Sequence, residues 1–169
     1  MANVRRFVKA QDTGVPVSKS RADLERMLAR YGAIGFGYSV NQETRQTIVE
    51  FLVPNTLEKG APRVPIRIPV DTFRVYDALY GKPAKGYRYQ EEKLGRAERV
   101  AWRNLLLWVD AALAAAALNF QTITEAFYAH TLVSDERGRT VRLADYIAET
   151  GGVLAPGVRA LLPSKSGDA

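Results

Sequence analysis

Between residues 63 and 103 the chain interleaves cations with aromatic rings. Arg63, Arg67, Arg74, Lys82, Lys85, Arg88, Arg96, Arg99 and Arg103 alternate with Phe73, Tyr76, Tyr80, Tyr87, Tyr89 and Trp102. Guanidinium and ammonium groups neutralise phosphates, and exposed rings give platforms on which unpaired bases stack. The chemistry such a mixture can perform is binding of nucleic acid, single-stranded DNA above all, without base specificity. The signal is compositional and follows no formal motif.

Charge distribution supports the same reading. The formal net charge is +6, and residues 59–103 alone hold 11 basic and 5 acidic side chains, a local excess equal to the whole. Such asymmetry points to a polyanionic partner. Two bland alternatives stand beside it. Arg96, Arg99 and Arg103 are spaced i, i+3, i+7 and form one helical stripe, which could be a solvated face; Glu92 has ion-pair spacing to Arg96. Trp102 adjoins an apolar run and reads as core. Tyr87 and Tyr89 lie in a glycine-flanked loop, where binding and bland readings are balanced.

Catalytic chemistry has little to stand on. The chain has no cysteine, which excludes disulfides, thiolate metal sites and a cysteine nucleophile. Its single histidine, His130, shares a helix face with Ile123, Ala126 and Phe127 and reads as structural and partly buried. Asp135–Glu136 sits in a glycine-containing turn with arginines nearby and reads as solvated. Gly35-Phe36-Gly37 is too weak to count as a phosphate loop, and no HExxH or nucleophile elbow occurs. No catalytic residue, metal site, cofactor or small-molecule substrate is therefore assigned.

The elements that must position these residues are legible. Residues 1–17 form an N-terminal arm, flexible or loosely docked. Ser20 and Asp23 resemble a capping box for a helix with Leu24, Met27, Leu28 and Tyr31 on one face, ended by Gly32. Ile34, Phe36, Tyr38 and Val40 alternate with small residues, giving a strand with one bulky and one bare face, the bare face suited to a closely packed helix or to the approach of a ligand backbone. A turn at Asn41–Thr44 leads to the returning strand QTIVEFLV. In PRVPIRIPV the apolar Val64, Ile66, Ile68 and Val70 alternate with Arg63, Pro65, Arg67 and Pro69. Pro65 and Pro69 remove donors from one edge, which predicts an edge strand with Arg63 and Arg67 exposed. A helical turn falls at Thr72–Leu79, and YGKPAKGY reads as a mobile loop. A central helix spans about Glu91 to Ala117, with Leu94, Ala101, Leu105, Trp108 and Ala112 on its apolar stripe. Thr122–Glu125 is a capping box for a short helix through His130. SDERGRT is a turn, Thr140 caps a second short helix closed by Gly151 or Gly152, and Ala160–Pro163 makes a last docking contact.

Three stretches together carry a resemblance. VPVSKSRADLERMLARYGA, RVAWRNLLLWVDAALAAAALNFQTITEAFYAHTLVSDERGRTV and ALLPS resemble a widespread family of uncharacterised small proteins of tailed phages and prophages. The family pattern opens with a V-x-V-x-x-[ST]-[KR]-x-[ED]-[IL] helix ending in Tyr-Gly-Ala. It continues with R-W-R-x-L-x-L and F-x-x-E-F-L-A-H and ends near Leu-Leu-Pro. The matching pieces here are Val15–Ala33, Arg99–Leu107, Ile123–His130 and Leu161–Pro163. Two departures are Asp110-Ala-Ala-Leu-Ala, where the family carries a lysine-rich run, and Ala126–His130, where it has Glu-Phe-Leu-Ala-His. The resemblance implies a phage or mobile-element origin and brings no activity with it. The order hairpin, third strand, long helix is also that of single-strand annealing proteins used by phages in recombination, a fold-level analogy.

The expectation is an α+β protein: a three-stranded antiparallel sheet (hairpin plus Pro-containing edge strand), an N-terminal helix, a long central helix and two short C-terminal helices. It is organised as an arm (1–17), a single domain (18–163) and a polar tail (164–169). Its expected work is non-enzymatic binding of single-stranded DNA in recombination or replication. The binding residues are Arg63, Arg67, Arg74, Lys82, Lys85, Tyr87, Arg88, Tyr89, Arg96, Arg99 and Arg103. The alternative is a phage interaction or self-assembling structural protein binding a host or virion protein, with the Ala-rich helix end able to mediate homo-oligomerisation. The N-terminus lacks a secretory signal and the run Leu105–Leu118 is short for a membrane span. Location in the host cytoplasm, away from membranes, is the default.

Overall fold

The computed structural model describes residues 4–56, 58, 60–85, 87–150 and 159–160, with backbone alone at 4, 159 and 160. The architecture is mixed α+β, as the sequence predicts. After a 3-10 turn at Val4–Phe7, helix α1 spans Val17–Arg30. Strands β1 (Ile34–Asn41), β2 (Gln46–Pro54) and β3 (Arg63–Asp71) form an antiparallel sheet in that order. Helices α2 (Thr72–Tyr80) and α3 (Glu91–Ala117) follow, then α4 (Ile123–Ala126) and a 3-10 turn at Tyr128–His130. Strands β4 (Leu132–Ser134) and β5 (Thr140–Arg142), helix α5 (Leu143–Glu149) and β6 (Arg159–Ala160) complete the described chain. Gly151, Gly152, the contact expected at 161–163 and the polar tail lie outside the described residues.

Contacts divide the chain into two compact units, one of residues 1–27, 38–49 and 69–111, the other of 28–37, 50–68 and 112–169. In the first, the turn after β1 is set by Asn41, whose Oδ1 accepts from the N–H groups of Glu43 and Thr44 at 2.9 Å each. Asp71 caps α2 by accepting from the Arg74 N–H. Tyr76, Leu79, Leu94, Ala97 and Val100 form a core onto which Val8, Phe73, Val75, Tyr80 and Tyr89 pack. Trp102 is buried, as expected, and meets Tyr38 edge-on with centroids 5.9 Å apart. The arm is docked over residues 9–12. The Asn104 amide accepts from the Lys9 N–H at 3.1 Å and donates to the Lys9 carbonyl at 2.7 Å. Arg96 donates to the Gln11 carbonyl and pairs with Asp12.

In the second unit, Gly32 ends α1 as predicted. It has φ +78°, and the N–H groups of Gly32 and Ala33 bond back to the carbonyls of Ala29 and Leu28. That pairing is the Schellman arrangement, which a left-handed residue makes possible. Asn119, with φ +58°, ends α3 in the same way through Phe120 to Ala115 and Asn119 to Ala116. Val53, Val64, Ile66, Leu113, Phe127 and Val133 are fully buried, and Phe51 meets Phe127 edge-to-face at 5.8 Å. Asn55 accepts from both the N–H and hydroxyl of Thr124. The predicted capping box at Thr122–Glu125 is present, and the bonds from Thr122 hold the Glu125 carboxyl below its ordinary range.

Several expectations are corrected. Ser20 does not cap α1. The helix starts at Val17, where the Pro16 carbonyl accepts from Lys19 and Ser20, and Ser20 is buried inside it. Thr140 does not cap α5. It pairs with Ser134 in the β4–β5 hairpin, and Arg142 occupies the cap position. The hairpin closes because the Asp135 carboxylate accepts from the N–H groups of Arg137 and Arg139 while Gly138 supplies φ +74°. Among the described residues no helix packs closely on the bare face of β1 at its glycines: a Cβ at Gly35 or Gly37 would meet nothing within 4 Å. Ile34, Tyr38 and Val40 on the bulky face are themselves exposed. Trp108 is 39% exposed, since the buried set late in α3 is Leu105, Leu106, Val109, Ala112 and Leu113, which turns Trp108 to the margin. By length and composition alone α3 could cross a membrane; 44% of its most apolar stretch is buried in the fold.

Candidate nucleic-acid interface

The predicted site residues divide between the two units. Arg63 and Arg67 belong to the second. Strand β3 is a sheet edge, as the prolines require, and its outer side carries an isolated bridge between Ile66 and Thr131. Neither arginine is freely exposed, however. Arg63 donates to the Gly32 carbonyl at 2.7 Å, and Arg67 pairs with Glu50 on β2 at 2.7 Å. Cross-strand pairing and helix-end carbonyls have taken up these cations.

The remaining candidates belong to the first unit. On α3 one arginine of the outward stripe is closely held and a second is only at the edge of an ion pair, its Asp23 partner being bonded by Arg26. Arg96 is held by Asp12 and the Gln11 carbonyl, and Arg103 lies 3.9 Å from Asp23. The expected Glu92–Arg96 pair gives way to Asp12, which the docked arm brings in. Arg99 is half-buried and has no ion-pair partner among the described residues. Arg74 is 89% exposed and lies 3.6 Å from Asp71, a spacing that contributes little in water.

The segment 81–90 carries the most exposed candidates. Its start is fixed by Gly81, with φ +81° and an N–H bonded to the Asp77 carbonyl at 2.9 Å. Its end is fixed by Tyr89, whose ring centroid lies 4.5 Å from Phe73 and 4.9 Å from Tyr76 and whose hydroxyl donates to Asp77 at 3.3 Å. Burial and the Asp77 carboxylate together raise the Tyr89 pKa. Tyr89 is thus an anchor and not a free stacking platform. Between the two fixed points Lys82, Lys85, Tyr87 and Arg88 are exposed, Tyr87 at 78%, and the three cations have no ion-pair partner among the described residues. Gly86 lies outside the described residues.

Two cationic contacts had no signal in the sequence. Arg21 lies over both Tyr38 (4.2 Å) and Trp102 (4.6 Å) and 3.6 Å from Glu98. Lys93 stands 5.3 Å from the Tyr80 ring centre. Their partners are distant in sequence or on another turn, and both are structural stacks.

His130 is half-buried, with Arg142, Asp145 and the Arg67 backbone around it, and burial followed by Arg142 lowers its pKa. Asp135 is ion-paired with Arg139; burial opposes its charge, but the Arg139 and Arg137 bonds outweigh it and hold the carboxyl below its ordinary range. Among the described residues no cluster of three or more acidic or histidine side chains could hold a metal. No family model, curated protein or solved structure matches this chain.

Proposed function

We propose that this is a non-enzymatic nucleic-acid-binding protein of a phage or mobile element, engaging single-stranded DNA without base specificity in recombination or replication. One observation carries the reading: beside Tyr87, whose ring is 78% exposed, Lys82, Lys85 and Arg88 have no counter-charge among the described residues, in a loop pinned at Gly81 and Tyr89. Unpaired cations supply the backbone term and the ring supplies base stacking. Arg74, nearby in sequence and almost fully exposed, extends the charge. Arg63, Arg67, Arg96 and Arg103 contribute less, because carboxylates or carbonyls already engage them.

Fluorescence anisotropy with labelled single strands and duplexes tests the reading. Preference for single strands, insensitivity to sequence and loss with Tyr87→Ala are expected; equal affinity for duplex and single strand, or no effect of Tyr87→Ala, counts against it.

A second reading, a self-assembling or partner-binding structural protein, has its own support. Leu118 and Phe120, just past the end of α3, are 64% and 78% exposed. Light scattering of the nuclease-treated protein discriminates: an oligomer dispersed by Phe120→Ser favours this second reading.

A further inference from the structure

Helix α3 is apolar on the side turned away from its core as well as on the side turned toward it. Leu105, Leu106, Val109, Ala112 and Leu113 are buried, and the opposite stripe of the same helix runs Leu107, Ala111, Ala114, Leu118. Leu118 keeps the helical spacing one residue past the helix, its N–H bonded to the Ala114 carbonyl at 3.1 Å. Nearer the helix start the same stripe is closed, at Val100, by the core around Tyr76 and Leu79. Beyond it the stripe is open: Leu107 is 42% and Leu118 64% exposed, and Phe120, after the left-handed Asn119, is 78% exposed. An outward helix face ordinarily carries charges, yet from Leu107 to Phe120 the chain has one, Asp110.

The steps along the stripe are four, three and four residues, the spacing of a seam between paired helices. The order is also the same read from either end: large, small, small, large. An identical helix laid antiparallel therefore sets Leu107 against Leu118 of the second copy and Ala111 against its Ala114, and the two-fold axis repeats both contacts. Self-matching of this kind is what an isologous interface requires, and paired alanines let the helix axes approach to about 8 Å. Other occupants fit less well. The stripe offers no cation to a polyanion, and a helix lying on a membrane carries lysine and arginine along its border, where this one has Asp110.

We infer that α3 pairs antiparallel with α3 of a second copy through this stripe, with Phe120 beside each end of the seam. The seam is about 16 Å long and about 10 Å wide, so with an exposed ring of roughly 150–250 Å2 beside it each copy buries on the order of 400 Å2. Lasting complexes bury about 800 Å2 per partner, so this pair is reversible and forms as concentration rises. It rests on the self-assembly reading and is independent of strand binding.

Sedimentation velocity of the nuclease-treated full chain, from about 5 to about 300 μM, tests this. The 18.7 kDa chain should move reversibly toward twice that mass as concentration rises. Ala111→Glu and, separately, Leu118→Glu should weaken pairing about tenfold or more, since each places a charge in an apolar contact. Both side chains are exposed, so the melting temperature should stay in place. The chain has no cysteine, so introduced thiols report the direction of pairing. On oxidation Leu107→Cys and Leu118→Cys should cross-link with each other and neither with itself. Like positions lie about 16 Å apart along the antiparallel pair, and a disulfide spans at most about 7 Å between Cα atoms. A chain that stays monomeric throughout, a dimer that either glutamate variant leaves intact, or self-cross-linking of Leu107→Cys overturns the inference. An oligomer dispersed by Phe120→Ser but by neither glutamate variant overturns it while leaving the self-assembly reading standing.

Discussion

The Tyr89 ring lies 4.5 Å, centroid to centroid, from the Phe73 ring, while Tyr87 two residues earlier is 78% exposed. Two tyrosines of one loop therefore sit in opposite surroundings. Tyr89→Ala should cost about 2 kcal/mol of stability, for lost packing and a lost ring pair. Tyr89→Phe should cost much less than Tyr89→Ala, because it keeps the ring packing and loses only a long bond to Asp77. Tyr87→Ala should leave the melting temperature in place and weaken single-strand binding by roughly 1–3 kcal/mol, the scale of one stacked base. Thermal melting and anisotropy on the same three variants check this.

The docked arm gives a second prediction. The Asn104 amide makes both a donor and an acceptor bond to the Lys9 main chain. Asn104→Ala should destabilise by about 1–2 kcal/mol and speed amide exchange at Lys9. Asp12→Asn, which removes an exposed partner of Arg96, should cost under about 1 kcal/mol. Exchange rates at Lys9 that are unchanged in Asn104→Ala would contradict the docked geometry.

His130 is the chain's single histidine, so its titration can be isolated between pH 5 and 8. Its pKa in the fold is lowered, by burial first and by Arg142 next. A folded pKa below the unfolded one means that the unfolded chain binds the proton more readily, so stability is present above about pH 6.5 and falls as pH drops through that region. Melting temperature should therefore decline from pH 7.5 to 5.5, and His130→Gln should flatten that segment. The Glu125 and Asp135 carboxyls, also lowered, act in a more acidic window, below about pH 4.5. A wild-type and His130→Gln pair with the same slope above pH 5.5 would refute the assignment.

Much of the fold was legible because its signals are local. Alternation in 63–70 and the prolines at 65 and 69 specify β3 and its edge position, and the bounds of α3 follow from its periodic apolar face. What failed has physical causes. Strands β4 and β5 are three residues each, too short to show a period, so Thr140 looks like a cap. Pro16 starts α1 earlier than the Ser20–Asp23 pattern implies. At the candidate site the loop cations were readable from composition. The pairing of Arg96 with Asp12 was not, because that carboxylate comes from far along the chain.

The central claim, that segment 82–88 meets the phosphate backbone, is tested most directly by the salt dependence of single-strand binding. The dissociation constant is measured from low to moderate salt for wild type, for Lys82→Gln/Lys85→Gln/Arg88→Gln and for Arg96→Gln/Arg103→Gln. Each neutralised phosphate contributes roughly 0.7 to the slope of log K against log salt on single strands. The loop triple variant should lose about 2 from the slope, and the helix double variant should keep a slope close to wild type. An unchanged slope in the loop variant, or a larger loss in the helix variant, would contradict the account.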